Sequence, residues 1–192
     1  MVMGKHAITT DTPSNILLGA GTFHKGLKYE GGKWSGTAIG ATSGGGKISI
    51  VGEFTDIELD GMLVKTKGMT IKQGGKVTAD VTFAELTNDI IKMGTLFEEG
   101  ESDVEGYTLL KDKARITEGD YIDGFGFVGY TADESKQLIV IFESAICTSG
   151  LEIEGKNKEQ STFKLTLEAV AKNEGNLDTL PIKIYYPDVP VV

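Results

Sequence analysis

Lys76-Val-Thr-Ala-Asp-Val-Thr-Phe83 is the stretch whose reading decides the fold. Val77, Ala79, Val81 and Phe83 alternate with Thr78, Asp80 and Thr82. Successive side chains of a strand point to opposite faces, so a period of two makes one apolar and one polar face. A helix would need its apolar residues three and four apart. The pattern recurs near the C-terminus, where Phe163, Leu165, Leu167 and Ala169 alternate with Thr162, Lys164, Thr166 and Glu168. Two such strands predict sheets with one side buried.

Weaker strand signals lie on either side of these two. They cover Ile16–Leu18, Lys47–Val51, Thr55–Leu59, Val64–Lys72, Tyr107–Ile116, Tyr121–Tyr130, Gln137–Ile146 and Ile182–Tyr186. Turn clusters such as Gly74-Gly75, Glu118-Gly119-Asp120 and Asn173–Asn176 separate them. One helix is predicted over residues 87–93. Thr87 is its N-cap, Asp89 sits in the first turn, Lys92 in the last, and Gly94 is the stop. Leu86, Ile90 and Met93 would form its apolar face. Many strands with one short helix predict a mainly β fold, a β-sandwich or partly closed barrel.

The chain has 192 residues, enough for a single domain. An N-terminal arm is expected over about residues 1–15 and a C-terminal arm over about residues 187–192. Gly31–Lys47, with seven glycines, is expected to be a long mobile loop. Loops of that length are uncommon in compact domains and often functional. A plain flexible linker is the alternative. Trp34 within it is a candidate contact residue at an interface, with local packing as the other reading.

Lys and Arg total 19 against 28 Asp and Glu, for a formal net charge of −9, and Arg115 is the single arginine. Such a composition argues against a protein that grips phosphate by attraction. The lone cysteine, Cys147, rules out a disulfide within one chain and follows an apolar run, so a buried thiol is expected. The longest strongly apolar run, Leu138–Phe142, is five residues, so no membrane partner is expected.

Motifs that carry chemistry are weak. Gly124–Gly129 matches GxGxxG, but lies in a strand-like stretch rather than at a helix start, so no nucleotide cofactor is expected. Gly44-Gly45-Gly46-Lys47 lacks the first glycine of a phosphate loop, and Ile48 replaces its Ser or Thr. Asp56-Ile-Glu-Leu-Asp60-Gly61 resembles half a calcium loop, but Lys67 stands where a bidentate Glu is needed. It reads better as a strand with Ile57 and Leu59 pointing in and Asp56, Glu58 and Asp60 pointing out. His6 and His24 with a single Cys give no metal site of usual spacing. No nucleophile sits in a recognisable elbow, and no catalytic residues are assigned.

The order of features nevertheless has a counterpart. Ile16–Phe23 (ILLGAGTF) precedes the Gly-rich segment, and Ile39–Ile50 (IGATSGGGKISI) leads into a strand. Thr55–Gly61 (TDIELDG), the alternating strand and Phe83–Gly94 (FAELTNDIIKMG) follow, and the chain closes on STFKLTLEAVA and LPIKIYYP. Over roughly residues 12–187 this resembles the major tail protein, or tail tube protein, of long-tailed bacteriophages, especially those of Gram-positive hosts. The resemblance implies hexameric rings, their sheets joined into one barrel and stacked into a tube that conducts duplex DNA. It implies a place in the virion tail after assembly in the host cytoplasm, with the tape measure protein and tail completion proteins as partners. It implies no cofactor.

In that setting the Gly31–Lys47 segment would order between stacked rings, with Trp34, Gly40, Thr42, Gly44, Gly45 and Gly46 as its contact residues. Acidic side chains on the channel wall would keep DNA mobile, and Asp56, Glu58, Asp60, Asp80 and Glu168 are the candidates. Ordinary solvated carboxylates are the alternative for each. Two other functions stay open: an injection-tube protein of a type VI secretion system or tailocin, and a carbohydrate-binding β-sandwich module.

Overall fold

The structure is a computed structural model, described over residues 8–155, 157–173 and 177–187. Its elements in chain order are β1 (Leu17–Glu30), β2 (Lys33–Ala38), β3 (Thr42–Asp56), β4 (Thr70–Phe83), α1 (Asn88–Thr95), β5 (Glu98–Gly100) and β6 (Leu109–Lys111). Then come β7 (Ile122–Asp123), β8 (Gly126–Thr131), β9 (Gln137–Phe142), β10 (Ser144–Cys147), β11 (Phe163–Val170) and β12 (Ile182–Tyr185). The expected N-terminal arm is described only from residue 8, and the C-terminal arm lies, apart from Pro187, outside the described residues.

Two antiparallel five-stranded sheets carry the fold. One runs β12-β9-β8-β1-β2 and the other β3-β4-β11-β10-β7. Their inner faces meet in one core. Phe23, Phe127, Val140 and Phe142 come from the first sheet, and Val77, Ala79, Val81, Phe83, Phe163, Leu165 and Leu167 from the second. The two alternating stretches are neighbours: β4 and β11 pair from Phe83↔Phe163 to Thr78↔Glu168, so both apolar faces turn inward together. This is the expected β-sandwich with one short helix. Cys147 is 5% exposed within the core. No helix among the described residues is long and apolar enough to cross a membrane.

The helix follows its signals at the start and departs from them at the end. The Thr87 hydroxyl accepts from the Ile90 amide, and Ile90 is fully buried. Gly94 does not stop the helix. It lies inside it, where a Cβ would come within 2.9 Å of Leu151 and Leu165. The turn ends instead at Leu96, left-handed at φ 59°, whose amide donates to the Lys92 carbonyl and whose side chain packs on the core.

The Gly31–Lys47 segment is not a loop. It forms β2 and the start of β3. Its glycines are bulge and packing devices. Gly44 and Gly45 take φ of 76° and 78°, the left-handed region that favours glycine. They make the bulge between the pairs Thr42↔Phe83 and Gly46↔Val81. At Gly46 a Cβ would stand 2.4 Å from the Phe23 ring. Backbone hydrogen bonding and this close packing order the segment within a single chain.

Candidate functional site: sheet edges and the projecting ribbon

β3 and β4 outrun their sheet. β11 pairs with β4 only from Thr78 to Phe83, whereas β3 stays paired with β4 down to Asp56↔Thr70. Beyond the buried Val77, from Val51 to Asp56 and from Thr70 to Lys76, the two strands therefore form a ribbon, closed by residues 57–69. An isolated two-stranded ribbon is marginal in water unless it packs on something else. This one carries apolar side chains into solvent. Phe54 is 65% exposed, Leu63 96% and Val64 75%, with Val51, Leu59 and Ile71 also exposed. β3 is moreover an edge strand of 15 residues, and no described strand pairs with its other side. A long edge with apolar side chains is a surface prepared for strand pairing.

The five carboxylate candidates do not form one site. Asp80 and Glu168 share the outer face of the second sheet, as the alternation predicts. Asp80 accepts from the Thr166 hydroxyl at 2.6 Å, and Glu168 pairs with Lys76 at 2.6 Å. Lys47 lies opposite Asp80 in the register and Lys164 opposite Thr82, so this face carries both signs. Asp56 ends β3 and is bridged to Lys65 at 2.8 Å. That bond, and the Thr70 hydroxyl, hold its pKa below the ordinary carboxylate value.

Glu58 and Asp60 are exposed in the segment closing the ribbon. The expected strand over residues 55–59 stops at Asp56, and Ile57 and Leu59 are exposed rather than inward. The alternation there has no core to face, because the ribbon has already left the sandwich. The strand expected over 64–72 begins only at Thr70, and of 107–116 only Leu109–Lys111 is strand.

Of the expected inter-ring contact residues, Trp34, Gly40, Thr42 and Gly46 are engaged inside the subunit, whereas Gly44 and Gly45 make the bulge with open space around them. Gly40 sits against Glu85 and Ile90, where a Cβ would meet atoms at 3.0 and 3.1 Å. Glu85 accepts from the neighbouring Ala41 amide at 2.6 Å. Thr42 pairs with Phe83, and Gly46 covers Phe23. Trp34 is half-buried. Its ring centroid lies 5.0 Å from that of Tyr29 and 5.0 Å from that of Tyr185. It packs over a second small core of Leu27, Val128 and Ile139 on the outer face of the first sheet. Local packing is therefore the reading the geometry favours for Trp34.

The exposed apolar residues of the ribbon were not singled out by the sequence pattern. The signal was Met62-Leu63-Val64 directly after Gly61, an apolar triplet at a turn. Among the described residues no three His, Cys, Asp or Glu side chains converge on a point that could hold a metal ion. No protein-family model and no curated protein matches the chain.

Proposed function

We infer that the protein is a structural subunit that assembles with copies of itself into hexameric rings, stacked as a tube that passes duplex DNA, as in a bacteriophage tail. The observation that carries this reading is the ribbon. Its apolar side chains and the free β3 edge are incomplete as a monomer and are completed by a neighbour's sheet. Joining sheets edge to edge also removes the exposed edges, as a closed barrel does. In the tail, the tape measure protein and tail completion proteins would be its further partners.

Charge supports the same reading. Six copies carry a formal charge of six times −9, or −54. A wall of that sign repels phosphate and leaves DNA free to slide. Asp80 and Glu168 remain the strand-borne wall candidates, tempered by Lys47, Lys76 and Lys164 beside them. Asp56, Glu58 and Asp60 belong instead to the ribbon and its tip.

Electron microscopy of the purified protein tests the assembly. Six-fold rings or hollow tubes are the expected images. Dispersed monomers at high protein concentration, under conditions where the chain is folded, would overturn the reading.

A further inference from the structure

The outer face of the first sheet holds a groove whose chemistry the assembly reading does not use. The chain has six tyrosines and one tryptophan. Four of these seven, Tyr29, Trp34, Tyr185 and Tyr186, line a single groove of about 350 Å³, with Gln137 at its side. Three of the rings stay open to solvent: Tyr29 is 58% exposed, Tyr185 43% and Tyr186 49%. Tyr29 and Tyr185 incline to Trp34 at 56° and 69°, so the rings form walls rather than a flat patch.

The walls are held in place. Trp34 is seated on Leu27, Val128 and Ile139 beneath it. The Tyr186 hydroxyl donates to Asn15 at 2.9 Å, and Lys136 stands over the Tyr186 ring. Gln137 donates to the Tyr130 hydroxyl at 2.9 Å, which orients its amide. Preformed aromatic walls with a few fixed polar groups are the make-up of a small-ligand site.

The lining side chains themselves carry no charge, and Lys136 beside Tyr186 is engaged by the Asn15 amide oxygen and the Tyr186 hydroxyl. The groove therefore suits a neutral ligand better than an anion. A neutral ligand with an apolar face and a hydroxylated rim matches both halves of the lining. Its C–H face lies on the rings, and its hydroxyls meet the tyrosine hydroxyls and the Gln137 amide. We propose that this groove is a binding site for a neutral saccharide, one or two pyranose units long. The volume is at the small end of ligand pockets, roughly 300–1,000 Å³, which limits the bound segment to that length.

Trp34 is the only tryptophan, so tryptophan emission, excited where tyrosine does not absorb, reports on this groove alone. Maltotriose, cellotriose, chitotriose and mannotriose are titrated into the full chain, with a proline-rich hexapeptide as the competing ligand class. A saturable change in Trp34 emission with at least one saccharide is expected, with a Kd on the order of 0.1–1 mM. Trp34→Ala would remove both the reporter and the cover of the small core, so Tyr29→Ala is the variant of choice. It should weaken binding about tenfold, or ~1.4 kcal/mol, with an unchanged circular dichroism spectrum. No saturable response to any of the four sugars, a response to the hexapeptide alone, or undiminished sugar binding by Tyr29→Ala would each overturn the site.

Discussion

Gly46 and Gly45 are adjacent and would fail for different reasons. A methyl at Gly46 meets the fully buried Phe23 ring at 2.4 Å. Gly46→Ala should therefore cost about 1–3 kcal/mol through overpacking. Gly45 has open space around it but a φ of 78°, so Gly45→Ala should cost about 1 kcal/mol through backbone strain alone. Urea unfolding checks both: the midpoint falls and the slope does not change. Neither role was legible in the sequence, where the glycines of residues 31–47 look alike. What separates them is the bulge and the ring opposite, both supplied by residues far along the chain.

Asp120 makes a second residue-scale case. It pairs with Lys113 at 2.5 Å, with side chains 5% and 12% exposed, and accepts from the Thr117 amide at 2.6 Å. Burial pushes its pKa up, but the bonds from Lys113 and Thr117 outweigh that, and the pKa ends below its ordinary value of 3.8. A carboxyl depressed on folding stabilises fully above its unfolded-state value, and that contribution fades as pH falls through the folded one. Asp120→Ala should cost about 1–3 kcal/mol at neutral pH by taking the charge partner from the half-buried Lys113, which keeps only the Thr117 hydroxyl. The gap between variant and parent should shrink below pH 4, and thermal melts across pH measure it.

Among the elements, β4 and β11 were the most legible, because each has one face in the core and the alternation is unbroken. α1 was legible at Thr87, whose side chain caps it, and not at Gly94, where tertiary packing outweighed the local stop signal. The ribbon was illegible for the opposite reason. Its alternation through Ile57 and Leu59 mimics a buried strand, yet no sheet covers it. A direct prediction follows from that isolation. Replacing residues 57–69 with an Asn-Gly turn should leave the sandwich folded, with a circular dichroism spectrum close to the parent's. Rings and tubes should be lost from electron micrographs, since Leu63 and Val64 go with the tip. The aromatic groove was equally hidden, because Tyr29 and Tyr185 are distant in sequence and meet only through Trp34.

In the proposed tube, charge across the whole molecule is what would separate holding DNA from conducting it. The parent should not retain duplex DNA in a gel-shift experiment at physiological salt. Asp80→Lys with Glu168→Lys would add to Lys47, Lys76 and Lys164 on one sheet face. That double variant should still form tubes and should retain DNA at low salt, with retention vanishing as salt rises. Retention indifferent to both substitutions would remove that face from the channel wall.

The sheet topology also has a consequence for the order in which the newly made chain can fold. β1 has to wait for β8, since Leu17 pairs with Thr131, and β4 has to wait for β11, since Phe83 pairs with Phe163. Contacts so far apart in sequence form slowly and late. While the ribosome is still synthesising the second half, the β1–β2, β3–β4 and β5–β6 hairpins are the pairs with their partners in hand. Both strands of the apolar ribbon thus exist before the sandwich that bears them, as a pair that is marginal in water on its own. The ribbon's apolar side chains are exposed on the nascent chain and stay exposed in the folded subunit, because the fold itself offers the ribbon no cover.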